Sequence, residues 1–304
     1  YNLFSEGGKR QREITRELGR RLLPECMTES NKGSYGSVLA AAGSMAYRGA
    51  AALCTEGALR SGAGLVYLAS VEPVIQLVLS RTPECCACGC RTAANGGIHP
   101  QDADALRRWF ADRHAVLLAG PGLGESAADV CKALLGRNAP WAGAVLDADA
   151  LNALAAGKYK GDLPANTILT PHPGEAARLL GLTVPEVQAD REGAAVSLAE
   201  KYHCVAVLKG HHTLVAAPDG TVWRNETGNA GLAKGGSGDI LAGLTAGLLA
   251  AGLKQGRTPE DAAVCAVWLH GAAADRCAKR RSMTAMLPGD LFEDLGWILG
   301  ELGR

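Results

Sequence analysis

One pattern recurs along this chain: a short apolar stretch, a turn built on Gly or Asp, then a longer helical segment. Residues 38–42 read as a strand ending at Gly43-Ser44, residues 49–60 as a small-residue helix and residues 65–69 as the next strand. Residues 115–119 run into Gly120-Pro121-Gly122-Leu123-Gly124, and residues 144–146 end at Asp147-Ala148-Asp149. Residues 167–169 meet Thr170-Pro171-His172-Pro173-Gly174-Glu175, with 175–180 helical, and residues 204–208 stop at Lys209-Gly210. Two runs, 213–217 and 221–224, flank Pro218-Asp219-Gly220, a hairpin signal. The C-terminal third reads as helices over 238–251, 259–278 and 288–302. Strands alternating with helices predict an α/β fold, a mostly parallel sheet with helices on both faces, and the hairpin predicts a short antiparallel edge. No linker, repeat or low-complexity tract divides the chain, so one domain is expected over 28–304. A helical arm is expected over 1–27, because its basic run from Lys9-Arg10 to Arg20-Arg21 alternates with acidic and apolar residues.

The 304 residues are 47% hydrophobic and 20% charged, the composition of an ordinary soluble enzyme. Equal numbers of basic and acidic side chains, 31 each, leave no electrostatic footprint for nucleic acid. No stretch approaches the ~18 unbroken apolar residues of a membrane span, and the start of the chain has no secretory pattern. The first residue is Tyr1 rather than Met, which leaves an N-terminal fusion or trimming open. Among ten cysteines, Cys26, Cys54, Cys131, Cys204, Cys265 and Cys277 sit in apolar segments and are expected to be buried. Cys85, Cys86, Cys88 and Cys90 cluster, and Cys85 and Cys88 have metal-type spacing, but no second pair follows at zinc-site distance. No metal site is assigned to them. A chain of this size with so many thiols is expected in the reducing cytoplasm.

In open α/β sheets, ligands bind beyond the carboxyl ends of the strands. Four predicted strand ends carry the unusual residues: Gly120–Gly124, Asp147–Asp149, His172–Glu175 and Lys209–Thr213. His172 stands between two prolines, either as a stiffly presented functional group or as a partner for neighbouring backbone. Asp147 and Asp149 either hold Mg²⁺ through water or cap the helix beginning near Ala150. His211 and His212, as neighbours on a strand, would point to opposite faces and form no metal site.

The sharpest signal is Thr227-Gly228-Asn229-Ala230-Gly231-Leu232-Ala233-Lys234-Gly235-Gly236-Ser237-Gly238-Asp239. Glycines there let backbone amides approach a phosphate, and the unpaired N–H groups of the following apolar helix favour an anion. Lys234 would add a mobile charge. Asp239 would be repelled by a polyphosphate unless it faces a substrate hydroxyl and accepts its proton as that hydroxyl attacks phosphorus. The alternative is an ordinary first-turn carboxylate after a tight turn. No P-loop sequence occurs, and the proline and spacing of Gly120–Gly124 fail the dinucleotide fingerprint.

Taken in order, Lys32-Gly33-Ser34-Tyr35-Gly36, Ala42-Gly43-Ser44, Tyr47-Arg48-Gly49-Ala50-Ala51, Arg60-Ser61-Gly62-Ala63-Gly64-Leu65-Val66, Gly120–Gly124, Asp147-Ala148-Asp149-Ala150-Leu151-Asn152, Thr170–Glu175, Lys209-Gly210, Thr227–Asp239 and Leu269-His270-Gly271 resemble the NAD(P)H-hydrate dehydratase family. These are relatives of the ribokinase-like small-molecule kinases, and the resemblance covers about residues 30–280. It implies a ribokinase-like fold and repair of nicotinamide cofactors. Water is removed from (6S)-NADHX or NADPHX with ADP or ATP as phosphoryl donor and Mg²⁺, by phosphorylation of the ring hydroxyl and then elimination. It implies contacts to the hydrate at Ala50, Gly122, His172 and Asp239, with Asp239 catalytic. The adenine nucleotide would meet Lys209, Gly210, His211, His212 and Thr213, together with the loop Gly235, Gly236, Ser237 and Gly238. Many relatives are fused to a hydrate epimerase, so a functional link to one is expected, as is a homo-oligomer by analogy.

Two other readings share parts of this pattern. A ribokinase-like kinase of a vitamin-precursor alcohol would share the Gly236-Ser237-Gly238-Asp239 loop, whereas Thr170–Glu175 with Lys209-Gly210 favours the dehydratase. A non-catalytic nucleotide-binding regulator would have no need of Asp239.

Overall fold

Side chains alternate between two buried faces along nearly every strand, and this decides the architecture. The computed structural model describes residues 11–159 and 163–304. In chain order its elements are β1 (Arg12–Ile14), α1 (Arg16–Leu22), β2 (Ser37–Ala41), α2 (Arg48–Arg60), β3 (Leu65–Val71), α3 (Glu72–Arg81), β4 (Cys86–Cys90), α4 (Pro100–Trp109), β5 (Val116–Ala119), α5 (Ala127–Leu134), β6 (Gly143–Leu146) and α6 (Asp149–Ala155). They continue with β7 (Thr167–Leu169), α7 (Pro173–Leu180), α8 (Val184–Ala189), α9 (Arg191–Tyr202), β8 (Val205–Leu208), β9 (Leu214–Ala216), β10 (Val222–Asn225), α10 (Ser237–Lys254), α11 (Pro259–Arg281) and α12 (Leu291–Glu301).

The strands form one sheet in the order β1-β10-β9-β8-β7-β6-β5-β2-β3-β4. From β4 to β8 all pairings are parallel, while β9 runs antiparallel to both β8 and β10. Val38, Ala40, Val66, Leu68, Val116, Leu118, Val205 and Val207 face one core, shared with α2, α3, α10, α11 and α12. Leu39, Ala41, Ala69, Leu117, Ala119, Ala206 and Leu208 face the other, shared with α4 to α9. This is the period-2 arrangement of a sheet buried on both sides. Among the described residues, no helix is long and apolar enough to cross a membrane.

Three features differ from the sequence expectations or add to them. The N-terminal arm is not helical throughout: Arg12–Ile14 forms a strand parallel to β10, and helix starts only at Arg16, after Thr15 caps it. The outer edge of β10 offers unpaired backbone groups, and Ile14 fills it at 2% exposure while Arg12 stacks on Trp223. Residues 1–10 of the arm lie outside the described residues. Second, Cys86–Cys90 is a strand, β4, at the opposite sheet edge, with Cys85 and Cys90 buried. Third, Cys26 is exposed, unlike the other five cysteines expected inside.

The central helix is α10, buried on all sides from Ile240 to Gly252. It lies against α2 without intervening side chains. A Cβ on Gly243 would fall inside the Cys54 carbonyl, one on Gly247 would collide with Ser61 Oγ and the Ala58 carbonyl, and one on Gly57 would stand 3.0 Å from the Ile240 carbonyl. Gly243→Ala therefore forces two backbones apart. We expect a loss of about 2 kcal/mol in urea unfolding, despite the better helix propensity of alanine.

Candidate active site

Backbone hydrogen bonds tie the carboxyl ends of the parallel strands into one rim. Gly43 N–H donates to the Pro121 carbonyl (2.8 Å), Asp147 N–H to Ala119 (3.1 Å), Thr170 N–H to Leu146 (3.1 Å) and Lys209 N–H to Pro171 (2.9 Å). Five loops far apart in sequence thus stand side by side, and the first turn of α10 reaches this rim.

A buried ion pair lies at its centre. Lys209 Nζ is 2.7 Å from Asp147 Oδ1 and 3.9 Å from Glu175 Oε2. Thr170 Oγ1 donates to the same Asp147 oxygen at 2.8 Å. Asp147 and Glu175 are 2% and 5% exposed. Burial opposes the charge on Lys209, but Asp147 and Glu175 outweigh it and its pKa is raised. Glu175 is raised too, by burial first, with Lys209 opposing. Neither aspartate side chain caps α6, whose N-cap is Ala148. Asp149 accepts the Gly124 N–H at 2.8 Å, and its pKa is raised mainly by burial.

Over the pair stands α10. Gly236 occupies its N-cap with φ 102°, a left-handed backbone that suits glycine. A Cβ on Gly238 would be 3.4 Å from Lys209 Nζ and 3.9 Å from Asp147 Oδ2, so Lys209, Asp147 and Gly238 meet. Asp239 follows in the first turn, half-buried, with its pKa raised to about 6. Burial is the largest cause, Asp147 adds to it, Lys209 opposes it and Asp149 adds a smaller push. The glycine-rich loop is anchored to α11: Asp275 accepts from Gly228 N–H and Asn229 Nδ2, both at 2.9 Å. Gly235 projects into open space.

Ala50 and Gly122 also meet, since a Cβ on Gly122 would lie 2.9 Å from Ala50 Cβ. His172 begins α7 and caps it. Its Nδ1 accepts from Gly174 N–H at 3.0 Å, while Glu175 accepts from the His172 N–H at 2.8 Å. That acceptor role leaves the ring proton on Nε2. Burial, then Lys209 and Arg178, lower its pKa and keep the ring neutral.

Other expected groups lie elsewhere or are engaged. Lys234 is not a mobile charge: its Nζ donates to the carbonyls of Met283, Thr284 and Met286 and ties that loop down. His211 and His212 are not on a strand but in a turn, which brings their rings to 3.8 Å. His212 Nδ1 pairs with Glu226 at 2.8 Å, and Thr213 Oγ1 donates to the Gly210 carbonyl at 3.1 Å. The His212 contact thus runs to the segment that follows β10. Among the described residues, no group of three or more His, Cys, Asp or Glu side chains can hold a metal. Asp147 is engaged by Lys209 and Thr170, and Asp149 by the Gly124 N–H.

Of three polar groups near the rim, the sequence reading gives a role only to Ser237, in the expected nucleotide loop, and none to Ser44 or His270. Ser44 Oγ, Ser237 Oγ and His270 Nε2 are buried without hydrogen-bond partners. Burial lowers the His270 pKa to about 4, against the Ser237 backbone, which raises it, so this ring is neutral. Their motifs stood out in the sequence, but nothing local to Leu269-His270-Gly271 shows that it packs behind the glycine-rich loop.

An α/β sheet with this strand-end rim and a helix N-terminus above it defines a ribokinase-like protein. A ribokinase-like superfamily structure from Enterococcus faecalis superposes with a TM-score of 0.82 at 26% identity, covering 99% of each chain. The model of the family described as NAD(P)H-hydrate dehydratase matches residues 38–296, and the chain belongs to that family. It is also similar to a crystal structure of the ADP/ATP-dependent NAD(P)H-hydrate dehydratase from Bacillus subtilis co-crystallised with ATP and Mg²⁺, with TM-score 0.81, 35% identity and coverage of 97% and 100%. A bifunctional NAD(P)H-hydrate repair enzyme from Moorella thermoacetica is 41% identical over 297 residues, 96% of this chain and 54% of that protein. The chain spans about half the length of the curated bifunctional relatives it matches.

The raised pKa of Asp239 has a cost in stability. An unfolded Asp titrates near 4, so between about pH 4 and 6 the folded chain binds more protons and stability falls as pH rises. Above that window the deficit persists. Asp239→Asn removes it and should be more stable than the parent by about 1–2 kcal/mol at pH 7.5, with the difference closing near pH 4. Urea unfolding of both chains at the two pH values checks this.

Proposed function

We propose that this protein dehydrates (6S)-NADHX and NADPHX to NADH and NADPH, consuming ADP or ATP. The observation that carries the reading is Asp239: a carboxylate poised near 6 in the first turn of a helix whose N-terminus favours an anion. A base with that proton affinity is largely ionised at neutral pH yet still takes a proton well.

The hydrate lies along Ala50, Gly122 and His172, with its ring hydroxyl facing Asp239. The hydroxyl oxygen attacks the terminal phosphorus and Asp239 accepts the proton. The bond to the nucleotide's bridging oxygen breaks, leaving AMP from ADP or ADP from ATP. The backbone N–H groups of Gly236 and Gly238 stabilise charge on the transferred group, while the Ser237 N–H is held by the Lys234 carbonyl. Mg²⁺, when bound with the nucleotide, neutralises part of that charge. The ring carbon–oxygen bond then breaks, phosphate departs and loss of the neighbouring ring proton restores the dihydropyridine. Lys209 and the Gly210–Thr213 turn belong to the nucleotide side of the same proposal.

We assign the reaction to residues 28–304, with β1 and α1 bracing the sheet edge. Half-length similarity to bifunctional enzymes supports a link to an epimerase. Ten free thiols support a reducing compartment such as the cytoplasm. A homo-oligomer is part of the proposal by analogy with relatives.

The purified chain, mixed with NADH hydrate, Mg²⁺ and either ADP or ATP, should give a nucleotide-dependent rise in absorbance at 340 nm. No rise with either nucleotide, from protein that binds ADP, would remove the dehydratase reading; a stable phosphorylated product from a vitamin-precursor alcohol would replace it with a kinase. Asp239→Asn should keep adenine-nucleotide binding in calorimetry while turnover falls ~10²–10⁴-fold. Turnover equal to the parent's would take Asp239 out of the mechanism.

A further inference from the structure

Asp147 and Lys209 follow strands that are not neighbours, because β7 lies between β6 and β8. The lysine reaches across the end of β7 to make the 2.7 Å contact, and Thr170, from the end of β7 itself, donates to the same oxygen. The carboxylate is fully enclosed and the ammonium largely so. Taking such a pair out of water costs several kcal/mol per ion, and well-packed apolar residues would commonly stabilise a fold as well or better. The placement of the charges therefore calls for a reason. Nζ is 3.4 Å and Asp147 Oδ2 3.9 Å from where a Cβ of Gly238 would stand, one residue before Asp239.

We propose, building on the reaction above, that Asp147 and Lys209 are positioning residues that act through Asp239. They lock one ammonium and one carboxylate beneath the first turn of α10, so that Asp239 works against fixed charges rather than mobile ones. The charged and titratable groups around this point are few. Asp147 faces it from the turn before α6, Asp149 from the start of α6, Lys209 from the end of β8, and Cys54 from α2. Behind Lys209 stand Glu175 and His172 from α7, and His270 from α11. Within this set Asp147 raises the proton affinity of Asp239 and Lys209 lowers it, beside the larger effect of burial. The two members of one ion pair thus have opposite effects on the base.

The test is the titration of the Asp239 carboxyl in the full chain carrying ¹³C-labelled aspartate, its signal assigned by its loss in Asp239→Asn. The acid limb of kcat/KM is measured in parallel. Asp147→Asn should lower the midpoint by about one pH unit and Lys209→Met should raise it by a similar amount. The double variant should return it to within about 0.3 unit of the parent, since the two changes offset. If Lys209→Met does not fold, Asp147→Asn and the double variant still fix the signs. Midpoints that stay put, or move the same way in both single variants, would overturn the proposal and leave the pair a structural brace. The carboxyl titration is read on free protein. Opposite shifts without dehydration of NADH hydrate would therefore uphold the coupling and defeat only the assigned reaction.

Discussion

The approach of α10 to α2, backbone against backbone, is the constraint on which the site depends. Gly243, Gly247 and Gly57 remove the side chains that would otherwise separate the helices. Because α10 is apolar on every side, it is stable only in the middle of a layer, between the sheet, α2 and α11. Its axis is thereby set, and its N-terminus comes out at the carboxyl ends of the strands. The turn at Gly236 then places Gly238 over Lys209 and Asp239 beside it. A helix held a few ångströms higher would keep its fold while lifting both its anion-favouring end and its carboxylate off the rim.

That end of the sheet is unusual in its charge. Asp147, Glu175 and Asp239 gather around the Lys209 ammonium, with Asp149 on the far side of Asp239, and in the proposed reaction a polyphosphate enters the same space. Lys234, the other lysine nearby, is spent on three carbonyls of the 283–286 loop. His172 and His270 are kept neutral. In the proposed reaction, attraction for the nucleotide comes from Lys209, from backbone N–H groups and from the metal the nucleotide brings, while the carboxylates hold charge in place. Such an arrangement suits a developing charge better than a standing one, because oriented dipoles need no reorganisation as the reaction proceeds.

Much of this was legible in the chain. The strand-end loops, the hairpin at β9 and β10 and the helix after Gly238 all follow from local signals: apolar runs, turn residues and glycines. Elements were lost where the local signal misled. Cys86–Cys90, alternating thiols with Ala and Gly, lacks the branched residues that mark strands, yet the edge of β3 recruits it. Arg12–Ile14 is a strand only because β10 needs a neighbour. At the site, the residue types were visible and their partners were not. Asp147 and Lys209 are 62 positions apart, and nothing near either of them announces the other. Lys234 looked free because the loop it holds comes some fifty residues later.

The proposed reaction asks little of this site that a ribokinase-like kinase would not also need. Transfer requires a base for the hydroxyl and a cradle for the phosphoryl group, and both stand at the start of α10. Elimination requires stabilisation of the departing phosphate, which develops charge where the incoming phosphoryl group had placed it, so one N-terminus serves both steps. What separates a dehydratase from a kinase is then the substrate. A hydroxyl beside the ring nitrogen makes a phosphate ester that the nitrogen lone pair can expel, whereas an ordinary alcohol makes one that persists. Specificity accordingly rests with the groups that orient the hydrate ring, Ala50, Gly122 and His172 in this reading, and the phosphate-handling half of the fold stays common to both chemistries.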